Sequence, residues 1–149
     1  MTLDSMTKKP ATSVLMKVTA ALIERNGKIF IARRKPEGLF GGFWEFPGGK
    51  LEPGERPERG LERELAEELG VEARAEEFLC SFPYRGPNLA IELVVYKTFL
   101  LSDNIRLTDH DEVRWVDPSS LDESAFADPD KPVVRWIRAR HQDQEPQED

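Results

Sequence analysis

Residues 57–69 carry the pattern that most constrains the fold, because they predict one helix with a single apolar side. Leucine recurs at every fourth position and forms one stripe, at Leu61, Leu65 and Leu69. Pro57 suits the first turn of such a helix, and Gly70 stands where a left-handed residue often ends one. A helix with this stripe needs a sheet or another helix to cover it.

Glutamates occupy the arc next to the leucine stripe, at Glu64, Glu67 and Glu68. Each like-charged pair three or four residues apart destabilises a helix by about 0.2–0.5 kcal/mol. The last turn is also where the helix dipole disfavours negative charge. A divalent cation would remove both penalties, and oxygen ligands suit Mg²⁺, with Mn²⁺ as a substitute. The simpler alternative is a solvent-exposed face that Arg63 partly neutralises.

The segment before the helix favours the cation site over the exposed face. Residues 48–55 supply three glycines, Lys50 and a further carboxylate at Glu55. The backbone of glycine can approach an ion or a phosphate closely, and lysine can neutralise an anionic ligand. The two segments together therefore predict a site for a metal ion and a phosphorylated ligand.

The rest of the chain predicts an α/β (α+β) domain, in which helices flank a mixed sheet. Asn26-Gly27, set between two strand-like runs, predicts a hairpin over residues 18–33. Aromatic and β-branched residues predict further strands at residues 78–84, 89–100 and 112–116. A second helix is predicted with Pro132 in its first turn.

Length and charge limit what this domain can bind. The 149 residues amount to one domain, predicted at residues 13–141 between flexible ends at residues 1–12 and 142–149. The net charge of −7 disfavours binding to a nucleic-acid polymer or an anionic membrane. The lone Cys80 and the lack of an apolar leader indicate a cytoplasmic protein. A monomer and a homodimer both fit the sequence.

The helix and the segment before it match a known signature at every position. The matching residues are Gly49, Glu55, Arg63-Glu64-Leu65, Glu67-Glu68 and Gly70-Val71. This is the Nudix box, so the chain resembles the Nudix hydrolases over about residues 18–137. It resembles their MutT-like branch because residues 44–50 read Trp-Glu-Phe-Pro-Gly-Gly-Lys. The resemblance implies an α/β/α sandwich and Mg²⁺-dependent hydrolysis of a nucleoside diphosphate linked to another group.

The resemblance also implies which residues hold the metal. The expected ligands are Gly49, through its carbonyl oxygen, and Glu64, Glu67 and Glu68. Arg63 and Glu55 match the residues that orient the loop and the acids.

A further acid is expected from the loop before a later strand. Asp109 matches this position, although Asp111 and Glu112 lie within reach. The catalytic residues implied by the resemblance are Glu64, Glu68, Arg63 and Asp109. The base that accepts the proton of the attacking water remains open between Glu64, Glu68 and Asp109.

Substrate contacts are expected at Arg34, Lys50, Glu45 and Asp130. Arg34 and Lys50 match cationic positions that contact phosphates in relatives. Asp130 matches the position that contacts the base edge, although it could equally cap the last helix. An ionised aspartate only accepts hydrogen bonds, whereas the asparagine of oxidised-guanine sanitisers both donates and accepts.

The resemblance therefore implies a nucleoside triphosphate pyrophosphohydrolase that releases a nucleoside monophosphate and pyrophosphate. Its expected role is to cleanse the nucleotide pool of oxidised nucleotides such as 8-oxo-dGTP, which protects DNA. Asp130 makes CTP-like and oxidised pyrimidine nucleotides alternative substrates, followed by other nucleoside diphosphate compounds. A non-catalytic module that senses nucleotides is a further alternative, against which the intact set of acids argues.

Overall fold

The computed structural model describes residues 15–144, which form a six-stranded mixed sheet with a helix on each face. The strands are β1 (Met16–Arg25), β2 (Lys28–Arg34), β3 (Trp44–Glu45), β4 (Ala73–Arg85), β5 (Ala90–Leu100) and β6 (His110–Val116). The helices are α1 (Pro57–Leu69) and α2 (Lys131–Gln144). Short 3₁₀ turns connect β6 to α2, at Pro118–Ser120, Glu123–Ala125 and Asp128–Asp130.

The predicted hairpin and first helix are confirmed. Asn26 and Gly27 have φ angles of 55° and 77°, the left-handed pair that a tight hairpin needs. Helix α1 has the predicted bounds, and Gly70 ends it with φ 67° and an N–H bond to the Ala66 carbonyl. Local sequence signals were therefore sufficient for these two elements.

The C-terminal helix is longer than the sequence indicated. Helix α2 continues through Gln144, so residues 142–144 are helical and not part of a loose tail. Between Pro132 and Pro146 the chain has neither glycine nor proline, so nothing breaks the helix earlier. The predicted end at residues 1–12 and the remainder of the predicted tail, residues 145–149, lie outside the described residues.

Strand β1 occupies the middle of the sheet. It pairs in parallel with β5 from Met16↔Ile91 to Ile23↔Thr98, and β4 pairs antiparallel with β5 on the far side. Its pairing with β2 is confined to the hairpin end, because β2 diverges to pair with β3 and β6. The mixed sheet predicted from the sequence is confirmed.

The segment of residues 47–51 takes the place that β2 leaves beside β1. The Thr19 N–H donates to the Gly49 carbonyl at 2.8 Å, and the Ala21 N–H donates to the Pro47 carbonyl at 2.8 Å. Gly48 makes this approach possible, since an added Cβ would lie 2.0 Å from the Thr19 carbonyl oxygen. The glycine segment is thereby fixed against the centre of the sheet.

The core has two layers, one on each face of the sheet. The leucine stripe of α1 is fully buried on one face with Phe30, and α2 buries Val133, Val134 and Ile137 on the other. Residues of β1 alternate between these layers, as they must in a strand covered on both faces. Among the described residues, neither helix is both long and apolar enough to span a bilayer.

Gly48→Ala is expected to lower the free energy of unfolding by about 2 kcal/mol or more, because the methyl group forces residues 47–51 away from β1. Gly54→Ala is the matched control, since its φ is 76° and nothing lies within 4 Å of an added Cβ. The control should cost only the left-handed strain of about 1 kcal/mol. Urea denaturation measures both values, and equal losses would contradict the close approach at Gly48.

Candidate active site

A cleft of about 410 Å³ opens where residues 47–51 meet α1 and the loop before β6. Acidic side chains line it throughout, at Glu45, Glu64, Glu68, Asp109 and Asp130. Apolar side chains add a wall at Phe40, Leu89, Ile91 and Leu93, and the basic side chains are Arg34 and Lys50. A larger open depression beside α2, lined partly by Arg135 and Arg138, contains none of these acids.

Helix α1 presents two glutamates to the cleft, one turn apart. Glu64 lies directly against the glycine segment, since a Cβ added to Gly49 would lie 2.3 Å from its carboxyl carbon. The Glu64 and Glu68 carboxyl groups share a hydrogen bond. The Oε1 atom of Glu68 is buried and has no hydrogen-bond partner among the described residues.

These two carboxyl groups resist ionisation. Burial raises the pKa of Glu68 to about 9, and the charges of Glu45 and Glu64 add to the rise. Burial also raises the pKa of Glu64, against the opposing effect of Arg63. A divalent cation fits this donor set, because oxygens that repel one another and a buried oxygen without a partner would all gain from one positive ion.

Arg63 joins the glycine-rich loop to α1. Its guanidinium donates to Glu55 at 2.8 and 3.0 Å, to Glu64 at 3.3 Å and to the Lys50 carbonyl at 3.1 Å. The hydrogen bond from Arg63 lowers the pKa of Glu55 to about 2, with help from the backbone N–H of Glu52. Arg63 thereby ties Glu55 and the Lys50 carbonyl to the face of α1 that carries Glu64.

Two of the expected metal ligands, Glu67 and the Gly49 carbonyl, already bind other groups of the protein. Glu67 is exposed over 58% of its side chain, does not line the cleft and binds Arg63 at 3.2 Å. The Gly49 carbonyl accepts hydrogen bonds from the Thr19 N–H at 2.8 Å and the Thr19 hydroxyl at 3.1 Å. The Gly49 carbonyl thus already accepts two hydrogen bonds from Thr19, and its role as a metal ligand stays a prediction.

Asp109 is the acid of the β6 loop that faces the cleft. It lines the cleft, and its charge contributes to the raised pKa of Glu68. Asp111 and Glu112 instead bind Arg33, at 2.8 and 3.3 Å. Of these three acids, Asp109 is the one that lines the cleft, whereas Arg33 holds Asp111 and Glu112 outside it.

Arg34 is paired with an acid on the cleft wall. Its Nη1 lies 3.3 Å from Glu45 Oε1, and its Nε donates to the Leu39 carbonyl at 3.1 Å. Arg34 lines the cleft and lies close enough to Asp130 to lower the pKa of that acid. Its contact with the phosphates stays a prediction. Lys50, which follows Gly49, is the cation next to the acids of α1.

His110 is a residue beside the site that the sequence reasoning set aside as an incidental lone histidine. Its Nε2 lies 2.7 Å from Glu45 Oε2, and its side chain is fully buried. The only sequence signal was its place next to Asp109, because the contact depends on the pairing of His110 with Arg34 in the sheet. Single ligand atoms of Glu45, Glu68 and His110 all lie within 4.8 Å of one another.

Asp130 lies at the far end of the cleft, directly before α2. It is only 5% exposed, and the Phe46 backbone N–H lies close enough to lower its pKa. Burial raises its pKa well above the ordinary value, and the charge of Glu45 adds to the rise. Phe40, held at φ 60° and in edge contact with Tyr84, forms part of the apolar wall of the cleft.

Comparisons with known proteins agree with this geometry. The family model that matches is the NUDIX domain, over residues 18–136. The chain is 34% identical to the CTP pyrophosphohydrolase of Escherichia coli (strain K12) over 125 residues, which cover 84% of this chain and 93% of that protein. It is 33% identical to the putative 8-oxo-dGTP diphosphatase 2 of Mycobacterium tuberculosis, covering 80% and 84%. The solution structure of the E. coli ORF135 protein superposes with a TM-score of 0.73 at 31% identity, covering 89% and 94%.

In metal-free buffer, Glu68→Gln is expected to raise the melting temperature near pH 8 and to change it little near pH 4.5. The folded pKa of about 9 lies above the ordinary 4.5, so the protonated acid stabilises the fold fully below about pH 4.5. That contribution is lost as the pH rises towards 9, and glutamine cannot lose it.

Thermal unfolding at both pH values tests this expectation. Glu58→Gln is the control, because it removes the same charge from the first turn of α1, outside the cleft. A gain from Glu68→Gln that is independent of pH would contradict the raised pKa.

Proposed function

The chain belongs to the Nudix hydrolase family, and from this we propose that it is a Mg²⁺-dependent nucleoside triphosphate pyrophosphohydrolase that acts on oxidised nucleotides such as 8-oxo-dGTP. The products are a nucleoside monophosphate and pyrophosphate. One observation carries the proposal: a single cleft joins the acids of α1 and Lys50 to an apolar wall that ends at Asp130. Polyphosphate and base can therefore lie in one continuous site.

We assign the cation to the cleft side of α1. Glu64 and Glu68 are the acids that α1 presents there, and Asp109 lies across the cleft. Glu67 would bind the ion only after its ion pair with Arg63 is broken. Mn²⁺ can replace Mg²⁺ because both ions take carboxylate oxygens. When bound, the ion supplies positive charge to the phosphate oxygens and makes the attacking water more acidic.

The side chains of the cleft perform the remaining steps. Lys50 neutralises phosphate charge beside Glu64. Arg63 fixes the position of the loop relative to α1 through its hydrogen bonds to Glu64 and the Lys50 carbonyl. Water adds to one phosphorus of the anhydride and the bridging P–O bond breaks, which yields the monophosphate and pyrophosphate. The proton of the water passes to one of the cleft carboxylates, Glu64, Glu68 or Asp109.

A second candidate substrate is CTP or an oxidised pyrimidine nucleotide. The Asp130 carboxyl favours it when ionised, because a carboxylate accepts hydrogen bonds from an amino-bearing edge such as cytosine N4. Burial raises the pKa of Asp130, and its protonated form donates as well as accepts. The similarity to the E. coli CTP pyrophosphohydrolase extends over 93% of that protein. Asp130 is also buried directly before α2, so a structural role accompanies any contact with the base.

Glu68→Gln is expected to lower kcat by about 10²- to 10⁴-fold with Mg²⁺ present, because it removes a cation ligand or the general base. Glu58→Gln keeps the wild-type rate, since Glu58 lies on α1 outside the cleft. Pyrophosphate release measures the rate, and calorimetry with Mn²⁺ measures the affinity for the ion. Wild-type rate and affinity in Glu68→Gln would remove the metal assignment.

Asp130→Asn is expected to shift the preference towards 8-oxo-dGTP over CTP by about tenfold in kcat/KM, because an amide donates as well as accepts hydrogen bonds. We would measure kcat/KM of wild type and Asp130→Asn on a panel of normal and oxidised (d)NTPs and ADP-ribose. The readout is release of pyrophosphate or phosphate. An unchanged ratio would leave Asp130 with its structural role alone. Nucleotide binding without release of either product from wild type would instead indicate a sensing module.

A further inference from the structure

His110 is a buried side chain beside the cleft that the proposed reaction does not use. It is 1% exposed and does not line the cleft, whereas its hydrogen-bond partner Glu45 does. Its Nδ1 is buried without a hydrogen-bond partner among the described residues. A buried ring nitrogen left unpaired costs free energy. The ring therefore makes one side-chain hydrogen bond, and that bond reaches a residue of the site.

Strand pairing fixes the direction of this hydrogen bond. His110 begins β6 and pairs with Arg34 at an irregularity in the β2–β6 register, and Glu45 lies on the other side of β2 in β3. Arg34 and His110 then hold the same carboxylate, with Arg34 Nη1 at 3.3 and 3.4 Å from its oxygens and His110 Nε2 at 2.7 Å. Two donors from two strands restrict the rotation of Glu45.

Glu45 occupies the junction between the two ends of the cleft. Its charge acts on Glu68 at the metal end and on Asp130 at the base end. Its side chain is 15% exposed, so part of the carboxylate faces the cleft. A carboxylate in this place can accept a hydrogen bond from a base only if it keeps one orientation.

We propose that His110 is a positioning residue for substrate binding: its Nε2–H holds the Glu45 carboxylate in the orientation that receives the nucleotide base. The inference rests on the proposed function, because it assigns a partner to one of its substrate contacts. The base lies away from the reacting phosphorus, so this contact strengthens substrate and transition-state binding equally. Loss of His110 therefore acts on KM and not on kcat.

Two substitutions separate positioning from packing. Glutamine places its amide nitrogen near the position of His Nε2, whereas the shorter asparagine does not reach Glu45. His110→Asn is expected to raise KM by about tenfold with kcat within about twofold, and His110→Gln to stay within about threefold of wild type in both. Both variants lose the ring, so the loss of stability that comes from the missing ring is common to both. His141→Gln, which replaces the other histidine, in α2, is the control.

Binding of the product monophosphates 8-oxo-dGMP and CMP, measured by calorimetry, decides the inference even without turnover. The dissociation constant should rise about tenfold in His110→Asn and Glu45→Gln and recover in His110→Gln. Equal behaviour of the asparagine and glutamine variants would overturn the proposal, as would a loss confined to kcat. Tenfold weaker Mn²⁺ binding in His110→Asn would also overturn it, because His110 would then be a metal ligand. Wild type that binds nucleotide without hydrolysing it would refute the proposed function alone.

Discussion

The repulsion between carboxylates in one cleft is the constraint on which the rest of the structure depends. Glu64 and Glu68 share a hydrogen bond on α1, and Glu45 and Asp109 add charge that raises the pKa of Glu68. Arg63 holds this group at one end through Glu55 and Glu64. At the other end, Arg34 and His110 hold Glu45. The fold therefore keeps destabilising charge in place with fixed donors on either side.

Much of the fold followed from local patterns in the sequence. The Asn26-Gly27 turn and helix α1 depend on φ preferences, leucine spacing and a terminal glycine, all of which act within a few residues. The strand order did not follow from them, because the parallel pairing of β1 with β5 joins residues far apart in the chain. Local propensity cannot specify which distant strand becomes a neighbour.

The candidate site also combines features that follow from local sequence with features that depend on distant contacts. Glu64 and Glu68 share a helix face that the sequence makes evident, so their meeting could be expected. The exposed position of Glu67 and the engagement of the Gly49 carbonyl by Thr19 depend on where Arg63 and β1 lie. The link between His110 and Glu45 spans 65 residues and needs the register of three strands. A single sequence does not specify which strands bring two residues together over such a separation.

The parallel alignment of β1 with β5 has a consequence for the order of assembly on the ribosome. The intervening chain contains α1 and its acids, yet the strand that completes the middle of the sheet ends only at Leu100. His110 and Asp130 emerge later still. A chain that ends before β6 would carry the acids of α1 without His110 and Asp130. Such a truncated chain would be both unstable and without a complete cleft.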